Sequence, residues 1–169
     1  FRRVLFRSQY QTLNTQILPA LAEHGIHLLR HLERNEAQRH WVKAYFEREV
    51  RPLLTPIVLD PAHPFPQIVN KSLNFIVELA GKDAFGKGTT IAVMKAPRVL
   101  PRIIQLPESL NGHGVSYCLL SSVIHAHIAD LFPGRQVLGF SQFRVTRDSD
   151  LWVDEVEVKN LRQADRKST

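Results

Sequence analysis

Prolines in the middle of the chain limit how its strand-forming residues can be arranged. Residues 89–107 read TTIAVMKAPRVLPRIIQLP, with aliphatic and β-branched residues on either side of Pro97 and Pro101. Proline has no backbone N–H to donate to a sheet, so it lies at strand ends, edges or turns. The segment therefore predicts two strands, Thr89–Met94 and Arg102–Leu106, joined by a stiff loop.

Helix and strand patterns alternate irregularly along the rest of the chain. Further strands are predicted at Ile26–Leu29, at Leu53–Leu59 as an edge strand, at Leu73–Leu79 as the hairpin partner of Thr89–Met94, and at Val137–Val145. Helices are predicted from Tyr10 to Leu21, with a kink or a meeting of two short helices at Pro19, from Asn35 to Pro52 with Gln38 completing a capping box, from Tyr117 to Leu131, and from Asp154 to Ala164. Helices without regular strand–helix alternation predict an α+β domain with a mostly antiparallel sheet.

Composition excludes several classes of protein. Hydrophobic residues make up 44% of the 169 residues, which is enough to form a core. No apolar run approaches the roughly 20 residues that a transmembrane helix needs, and the first residues do not have the pattern of a signal peptide. The one cysteine, Cys118, favours a reducing cytoplasm.

The net charge does not predict nucleic-acid binding. Of the total of +6, residues 1–8 contribute +3 and residues 165–169 contribute +1, so the segment between them carries +2. Both ends read like translated adapter or vector sequence and are left out of the fold prediction. A charge of +2 is too small for the electrostatic footprint of a DNA- or RNA-binding domain.

One segment nearly matches a nucleotide-binding loop. Gly81–Gly88 reads GKDAFGKG, close to the phosphate-loop pattern G-x-x-x-x-G-K-[ST], but Gly88 replaces the hydroxyl that would bind magnesium. A phosphate loop also opens a helix, whose N-terminal N–H groups hold the anion, whereas the residues from Thr89 predict a strand. A hairpin turn is the favoured interpretation, and a nucleotide-binding enzyme is the alternative.

Histidine and cysteine positions favour structural roles. His24, His27 and His31 would share a face only in a continuous helix, which Gly25 opposes, and no histidine has the spacing of a zinc motif. Cys118 is predicted near a helix start, as a small packed hydrophobic residue rather than a reactive thiol. The sequence therefore predicts neither a metal site nor a catalytic residue.

Basic residues near the prolines form the one candidate binding site. The candidates are Lys95, Arg98, Arg102, Arg144 and Arg147. Prolines stiffen a loop, which lowers the entropy lost when a guanidinium holds a phosphate oxygen. The competing interpretation, favoured here, is a solvated strand edge with local pairs such as Arg147–Asp148, which contribute only about 0–1 kcal/mol.

Three segments in the same order resemble the middle, or head, domain of the bacterial polyphosphate kinases. They are Thr55–Ile57, Val93–Pro107 and Phe143–Asp154. The resemblance implies that residues 9–24 are the end of an N-terminal helical domain and that residues 25–164 are part of the middle domain. Residues 1–8 and 165–169 depart from the family pattern and are expected to be non-native.

The resemblance also implies a function for a longer parent enzyme. Members of this family transfer the terminal phosphate of ATP reversibly to polyphosphate, with magnesium, through a phosphohistidine in carboxy-terminal domains that no residue here matches. They act as cytoplasmic dimers or larger homo-oligomers, with membrane association left open. The expectation is therefore a non-catalytic fragment without a cofactor of its own, and the alternative is a free-standing polyphosphate-binding module.

Overall fold

The computed structural model describes residues 2–59, 64–81 and 90–146. Within these residues the chain forms four α-helices and seven strands, and the strands belong to two sheets. Four of the five strand pairs in this part of the chain are antiparallel. The α+β fold with mostly antiparallel strands is therefore confirmed.

The α-helices are α1 (Arg2–Thr12), α2 (Leu18–Glu23), α3 (Glu36–Tyr45) and α4 (Leu120–Ala126). Wider π turns span Leu13–Ile17 and Phe46–Val50, and tighter 3-10 turns span His31–Glu33, Arg51–Leu53, Glu108–Leu110 and Ile128–Leu131. The strands are β1 (Ile26–Leu28), β2 (Ile57–Val58), β3 (Leu73–Ala80), β4 (Thr90–Lys95), β5 (Ile103–Gln105), β6 (Val115–Leu119) and β7 (Gln136–Arg144). None of the helices in the described part of the chain is long and apolar enough to cross a membrane.

The N-terminal helix winds continuously from α1 through the first π turn into α2. The π turn ends at Ile17, and α2 begins at Leu18 with Pro19 in its first turn, so two short α-helices meet near Pro19 through a widened turn. Gly25 follows with φ +72, as predicted for a helix stop. Tyr10 and Ile17 are 67% and 47% exposed, so the described residues leave the apolar stripe of this helix partly uncovered.

The capping box at the start of α3 is confirmed. The backbone N–H of Gln38 donates to Asn35 Oδ1 at 2.9 Å, and the backbone N–H of Asn35 donates to Gln38 Oε1 at 3.0 Å. The helical winding then continues through the second π turn and into the 3-10 turn that contains Pro52. Arg51 keeps helical angles, so the expectation that the helix ends before Pro52 is wrong by a few residues.

The larger sheet has the order β2-β4-β3-β7, with every pair antiparallel. The predicted hairpin pair is confirmed, and β2 lies at an edge, as its proline predicts. On β3 the side chains of Phe75, Val77 and Leu79 are at most 1% exposed and form one face of the core. The helical side of the core consists of Val42, Phe46, Val50, Leu120, Val123 and Ile124.

The smaller sheet has the order β1-β6-β5, with β1 and β6 parallel. The two backbone segments approach each other closely where the pairing of β1 with β6 begins. The backbone N–H of Val115 donates to the carbonyl of Gly25 at 2.8 Å, and Gly114 lies directly against Gly25 with φ +92. A Cβ at position 114 would lie 1.9 Å from that carbonyl oxygen, so this position requires glycine.

The helix predicted from Tyr117 to Leu131 is wrong at both ends. Tyr117 lies in β6, where it pairs with Leu28 on one side and Gln105 on the other. The α-helix begins only at Leu120 and has seven residues, and the last part is a separate 3-10 turn. Pairing on both sides of β6 satisfies the backbone in the extended form, and this tertiary constraint outweighs the apolar spacing.

We expect Gly114→Ala to destabilise the protein by at least about 2 kcal/mol, because the added Cβ collides with backbone and the positive φ is strained for alanine. The matched control is Gly112→Ala in the same turn, where a Cβ meets nothing within 4 Å. The control should change stability by no more than about 0.5 kcal/mol. Urea unfolding of both variants measures the difference, and equal midpoints would contradict the close approach of β1 and β6.

Candidate polyanion-binding site

The sheet brings Lys95 and Arg144 to the same end but to opposite faces. Lys95 ends β4 opposite Asn74, and Arg144 ends β7 opposite Leu73. Their Cα atoms are two strands apart, or about 10 Å at the usual spacing of strands. Because Leu73 and Asn74 are successive residues, their partners point to opposite faces of the sheet. These two cations therefore lie at the same end of the sheet but on different faces.

The loop that carries Arg98 and Arg102 is fixed at both ends. The backbone N–H of Ala96 donates to the carbonyl of Leu73 at 3.0 Å, and the carbonyl of Arg102 accepts from the N–H of Leu120 at 2.9 Å. Pro97 is buried between these attachments, whereas both arginines are exposed. The loop therefore holds two guanidinium groups in solvent on a restricted backbone, as its prolines predict.

None of these cations forms an ion pair within the described residues. Lys95, Arg98, Arg102 and Arg144 are exposed, and no described carboxylate lies within 4.0 Å of them. Arg147, with its predicted partners Asp148 and Asp150, lies outside the described residues. The four described cations remain available to an external anion.

Lys71 is a further cation at this end of the sheet, and the sequence reasoning missed it. Its backbone N–H donates to the carbonyl of Val145 at 2.8 Å, and its φ of +57 is unusual for a residue other than glycine. The turn residues Asn70-Lys71 directly before a strand were the available signal. Lys71 is exposed and adds a charge beside the end of β7.

A cavity of about 270 Å³ lies beside Lys95. Its lining is mostly apolar and consists of Leu53, Thr55, Ile57, Pro66, Gln67, Ile68, Val69, Asn74, Val93, Met94 and Lys95. The buried amide of Asn74 donates to the carbonyl and the hydroxyl oxygen of Ser72 at 2.9 and 3.0 Å. The cavity therefore offers one charged group, Lys95, and no pair of acid and base.

The nucleotide-loop alternative does not fit the backbone that follows it. Residues 82–89 lie outside the described residues, but β4 begins at Thr90 and pairs with β3 along its whole length. A phosphate loop requires a helix at this point. The strand therefore overturns the alternative of a nucleotide-binding enzyme built on Gly81–Gly88.

The histidines lie on separate elements. His27 is in β1, His31 is in a 3-10 turn, and His24 ends α2. Across the fold, the rings of His31 and His125 lie with their centroids 6.2 Å apart, a contact that spacing along the sequence does not indicate. Within the residues that the structure describes, no group of three or more metal-ligating side chains comes together.

Cys118 lies in β6, two residues before α4 begins, so it is near a helix start as predicted, but in extended backbone. Its side chain is fully buried, which agrees with the predicted role of a packed hydrophobic residue. Burial raises the pKa of the Cys118 thiol, and the nearby Arg34 guanidinium opposes the shift only in part. The thiol is therefore protonated and unreactive at neutral pH.

Arg34 is an unusual side chain that the sequence gives no reason to single out. It is 2% exposed, and its Nη2 donates to Ser122 Oγ at 2.7 Å, while its buried Nε has no hydrogen-bond partner among the described residues. Burial lowers the pKa of Arg34, and the Cys118 thiol opposes this shift. In the sequence Arg34 precedes the polar residues Asn35 and Glu36, a context typical of the surface.

The comparisons with known proteins match the part of the chain that contains the three segments resembling the polyphosphate kinases. The sequence model described as the polyphosphate kinase middle domain matches residues 37–168. A polyphosphate kinase of Neisseria meningitidis serogroup C is 53% identical over 162 residues, which are 96% of this chain and 24% of that protein. One of Pseudomonas aeruginosa is 53% identical over 156 residues, or 92% of this chain and 23% of that protein.

A solved structure supports the same relationship. The crystal structure of polyphosphate kinase from Porphyromonas gingivalis superposes with a TM-score of 0.75 and 30% sequence identity, and the match covers 86% of this chain and 22% of that one. The chain thus spans about a quarter of the length of the curated relatives that it matches. With its middle-domain match over residues 37–168, the chain belongs to the polyphosphate kinase family.

Proposed function

We propose that this chain is the non-catalytic scaffold of a longer polyphosphate kinase. The parent would transfer the terminal phosphate of ATP reversibly to polyphosphate, with magnesium, through a phosphohistidine outside residues 1–169. The observation that carries this proposal is the match to the middle domain, combined with a span of only 24% of a relative's length. Homo-oligomerisation and a cytoplasmic location of the parent belong to the same proposal.

The requirements of phosphoryl transfer support a scaffold role for this chain and a catalytic role for other parts of the parent. The reaction needs a positioned nucleotide, a nucleophile and cations that neutralise the moving phosphoryl group. The candidate site supplies exposed cations, and its nearest cavity is mostly apolar with Lys95 as the charged lining residue. These residues could guide or hold an anionic chain, whereas the nucleophile and the nucleotide site would come from other parts of the parent.

We expect the purified chain to lack phosphotransfer activity. Incubation with magnesium, radiolabelled ATP and a polyphosphate primer should yield no chain growth and no acid-labile phosphate on the protein, because no phosphoacceptor is matched here. The full-length Pseudomonas aeruginosa relative serves as the positive control. Labelling of any histidine of the chain would contradict the proposal.

A chimera tests the role as a scaffold directly. The matched segment of the Pseudomonas aeruginosa relative is replaced by residues 37–146 of this chain, and the folded chimera should retain polyphosphate synthesis within about tenfold. The expectation follows from the 53% identity and from the placement of the transfer chemistry outside this segment. A chimera that folds and assembles like its parent but has lost activity would count against a passive scaffold.

The second candidate function is direct contact with polyphosphate. The specific observation in its favour is that Arg98 and Arg102 are exposed, and form no ion pair with any described residue, on a loop attached at Ala96 and at Arg102. A restricted loop loses little entropy on binding. The candidate set then consists of Lys71, Lys95, Arg98, Arg102, Arg144 and Arg147.

For this function we expect Arg98→Ala/Arg102→Ala to weaken polyphosphate binding about tenfold in low salt. The slope of log affinity against log salt should fall by about two, because each lost cation–phosphate contact removes about one released counterion. Filter binding at two salt concentrations measures both quantities. The control Lys43→Ala/Arg48→Ala removes the same charge from exposed helical positions and should leave the slope unchanged. Equal losses in both double variants would indicate an effect of net charge alone.

A further inference from the structure

Arg34 carries a buried charge whose compensation is incomplete. Its side chain is 2% exposed, and its one hydrogen bond among the described residues goes to the neutral hydroxyl of Ser122. No described carboxylate lies within 4.0 Å of the guanidinium, and Nε has no acceptor. An unpaired buried charge is costly, so buried arginines are ordinarily paired with an anion.

The groups around His31, three residues before Arg34 in the sequence, are basic. The pKa of His31 is lowered first by its partial burial and then by Arg34, His125, His127 and Arg39, all of which are basic. Two acidic side chains, Asp130 and Glu33, the residue before Arg34 in the sequence, have other partners. Asp130 Oδ2 lies 3.3 Å from His127 Nδ1, and Glu33 Oε2 accepts from the backbone N–H of Arg30 at 2.7 Å. The counter-charge for Arg34 is therefore absent from the described residues.

The 3-10 turn His31–Glu33 and helix α4 bring the side chains of this region together. His31 and Arg34 are three residues apart around a 3-10 turn, and Ser122 and His125 are three residues apart on one face of α4. Arg34 contacts Ser122 across this junction, and the His31 and His125 rings face each other with centroids 6.2 Å apart. His31, Arg34, Ser122 and His125 are called the oxyanion cluster below.

The spacing of the rings suits a bridging oxygen. Hydrogen bonds from two imidazoles to one oxygen need about 2.8 Å each, so ring nitrogens some 5.5 Å apart can share a single anion. The rings are tilted by 40° rather than stacked, and both residues are exposed, so an anion can reach the gap from solvent. The hydroxyl of Ser122 accepts from Arg34 and keeps its own proton to donate.

We propose that the oxyanion cluster binds a tetrahedral oxyanion, either free phosphate or the end group of a phosphate chain. The imidazoles of His31 and His125 would donate hydrogen bonds to the oxygens of the anion, and the buried positive charge of Arg34 would attract it. The cluster shares no residue with the loop of Arg98 and Arg102, and the proposal does not depend on the proposed function of the parent. Its chemistry requires only an anion of about the size of phosphate.

Thermal unfolding of the full chain tests the site with sulfate, inorganic phosphate and tripolyphosphate. Each anion is compared with chloride at equal ionic strength. At about ten times its Kd, a bound anion should raise Tm by about 4 °C. A shift with tripolyphosphate that exceeds the shift with phosphate at the same concentration would indicate the end of a chain as the ligand. Equal shifts would indicate free phosphate.

Sulfate separates the protonation of the protein from that of the ligand, because it stays a dianion at pH 6 and at pH 8. The sulfate shift should increase as the pH falls from 8 to 6, because a protonated His31 holds a dianion more strongly. Burial and the basic neighbours Arg34, His125, His127 and Arg39 lower the pKa of His31, which confines the increase to the acid end of this range. An equal shift at both pH values would contradict a role for the imidazoles.

Variants separate binding from the general stabilisation that sulfate and phosphate give to folded proteins. Arg34→Met keeps the length of the side chain without its charge and should abolish the anion-dependent shift, with a Tm in chloride equal to or above that of the original chain. The double variant His31→Gln/His125→Gln should also abolish the anion-dependent shift in Tm. It tests the proposal even if Arg34→Met does not fold. The matched control is His40→Gln/His113→Gln, at two exposed positions outside the cluster, and it should keep the full shift. The same shift in all variants would overturn the proposal.

Discussion

Strand β3 is the constraint on which the rest of the described structure depends. It pairs with β4 on one side and with β7 on the other over nearly its whole length, while Phe75, Val77 and Leu79 seal the core face. Arg135 fixes the far end of this strand. Its Nε donates to the carbonyl of Ala80 at 3.1 Å, and its Nη2 donates to Thr90 Oγ1 at 2.6 Å. With β3 held at that end, the position of every residue at the opposite end follows from the register.

This register explains why the candidate cations meet as they do. The last residues of β4 and β7 leave the sheet beside the first residues of β3, and the loop after β4 is attached to Leu73 through Ala96. Lys71, Lys95 and Arg144 therefore lie at one end of the larger sheet, and Arg98 and Arg102 follow on the attached loop toward the smaller sheet, so the cations do not converge on one point. Such an arrangement suits a long ligand that touches several cations in turn better than a small molecule held from all sides.

The sequence predicted the elements whose signals are local and missed those that tertiary contacts decide. The capping box of Asn35 and Gln38 and the hairpin of β3 and β4 depend on neighbouring residues and on alternation, and both are confirmed. The apolar spacing from Tyr117 to Leu131 predicts a helix, but the pairing of Tyr117 with a strand on each side makes the first residues of this segment part of β6. The burial of Arg34 has no signal in the sequence because it depends on where α4 packs.

The two proposed anion sites differ in how water and salt affect them. The cations of the loop are exposed, so at physiological ionic strength their attraction extends over only about 8 Å and weakens further in high salt. Arg34 lies where the dielectric response is weaker and ions penetrate less, so its field is screened less. Salt should therefore release a polyphosphate chain from the loop at concentrations that leave an oxyanion bound between His31 and His125. As the salt concentration rises, a polyphosphate chain bound at both sites would lose its contacts with the loop first and would remain bound by one end at the oxyanion cluster.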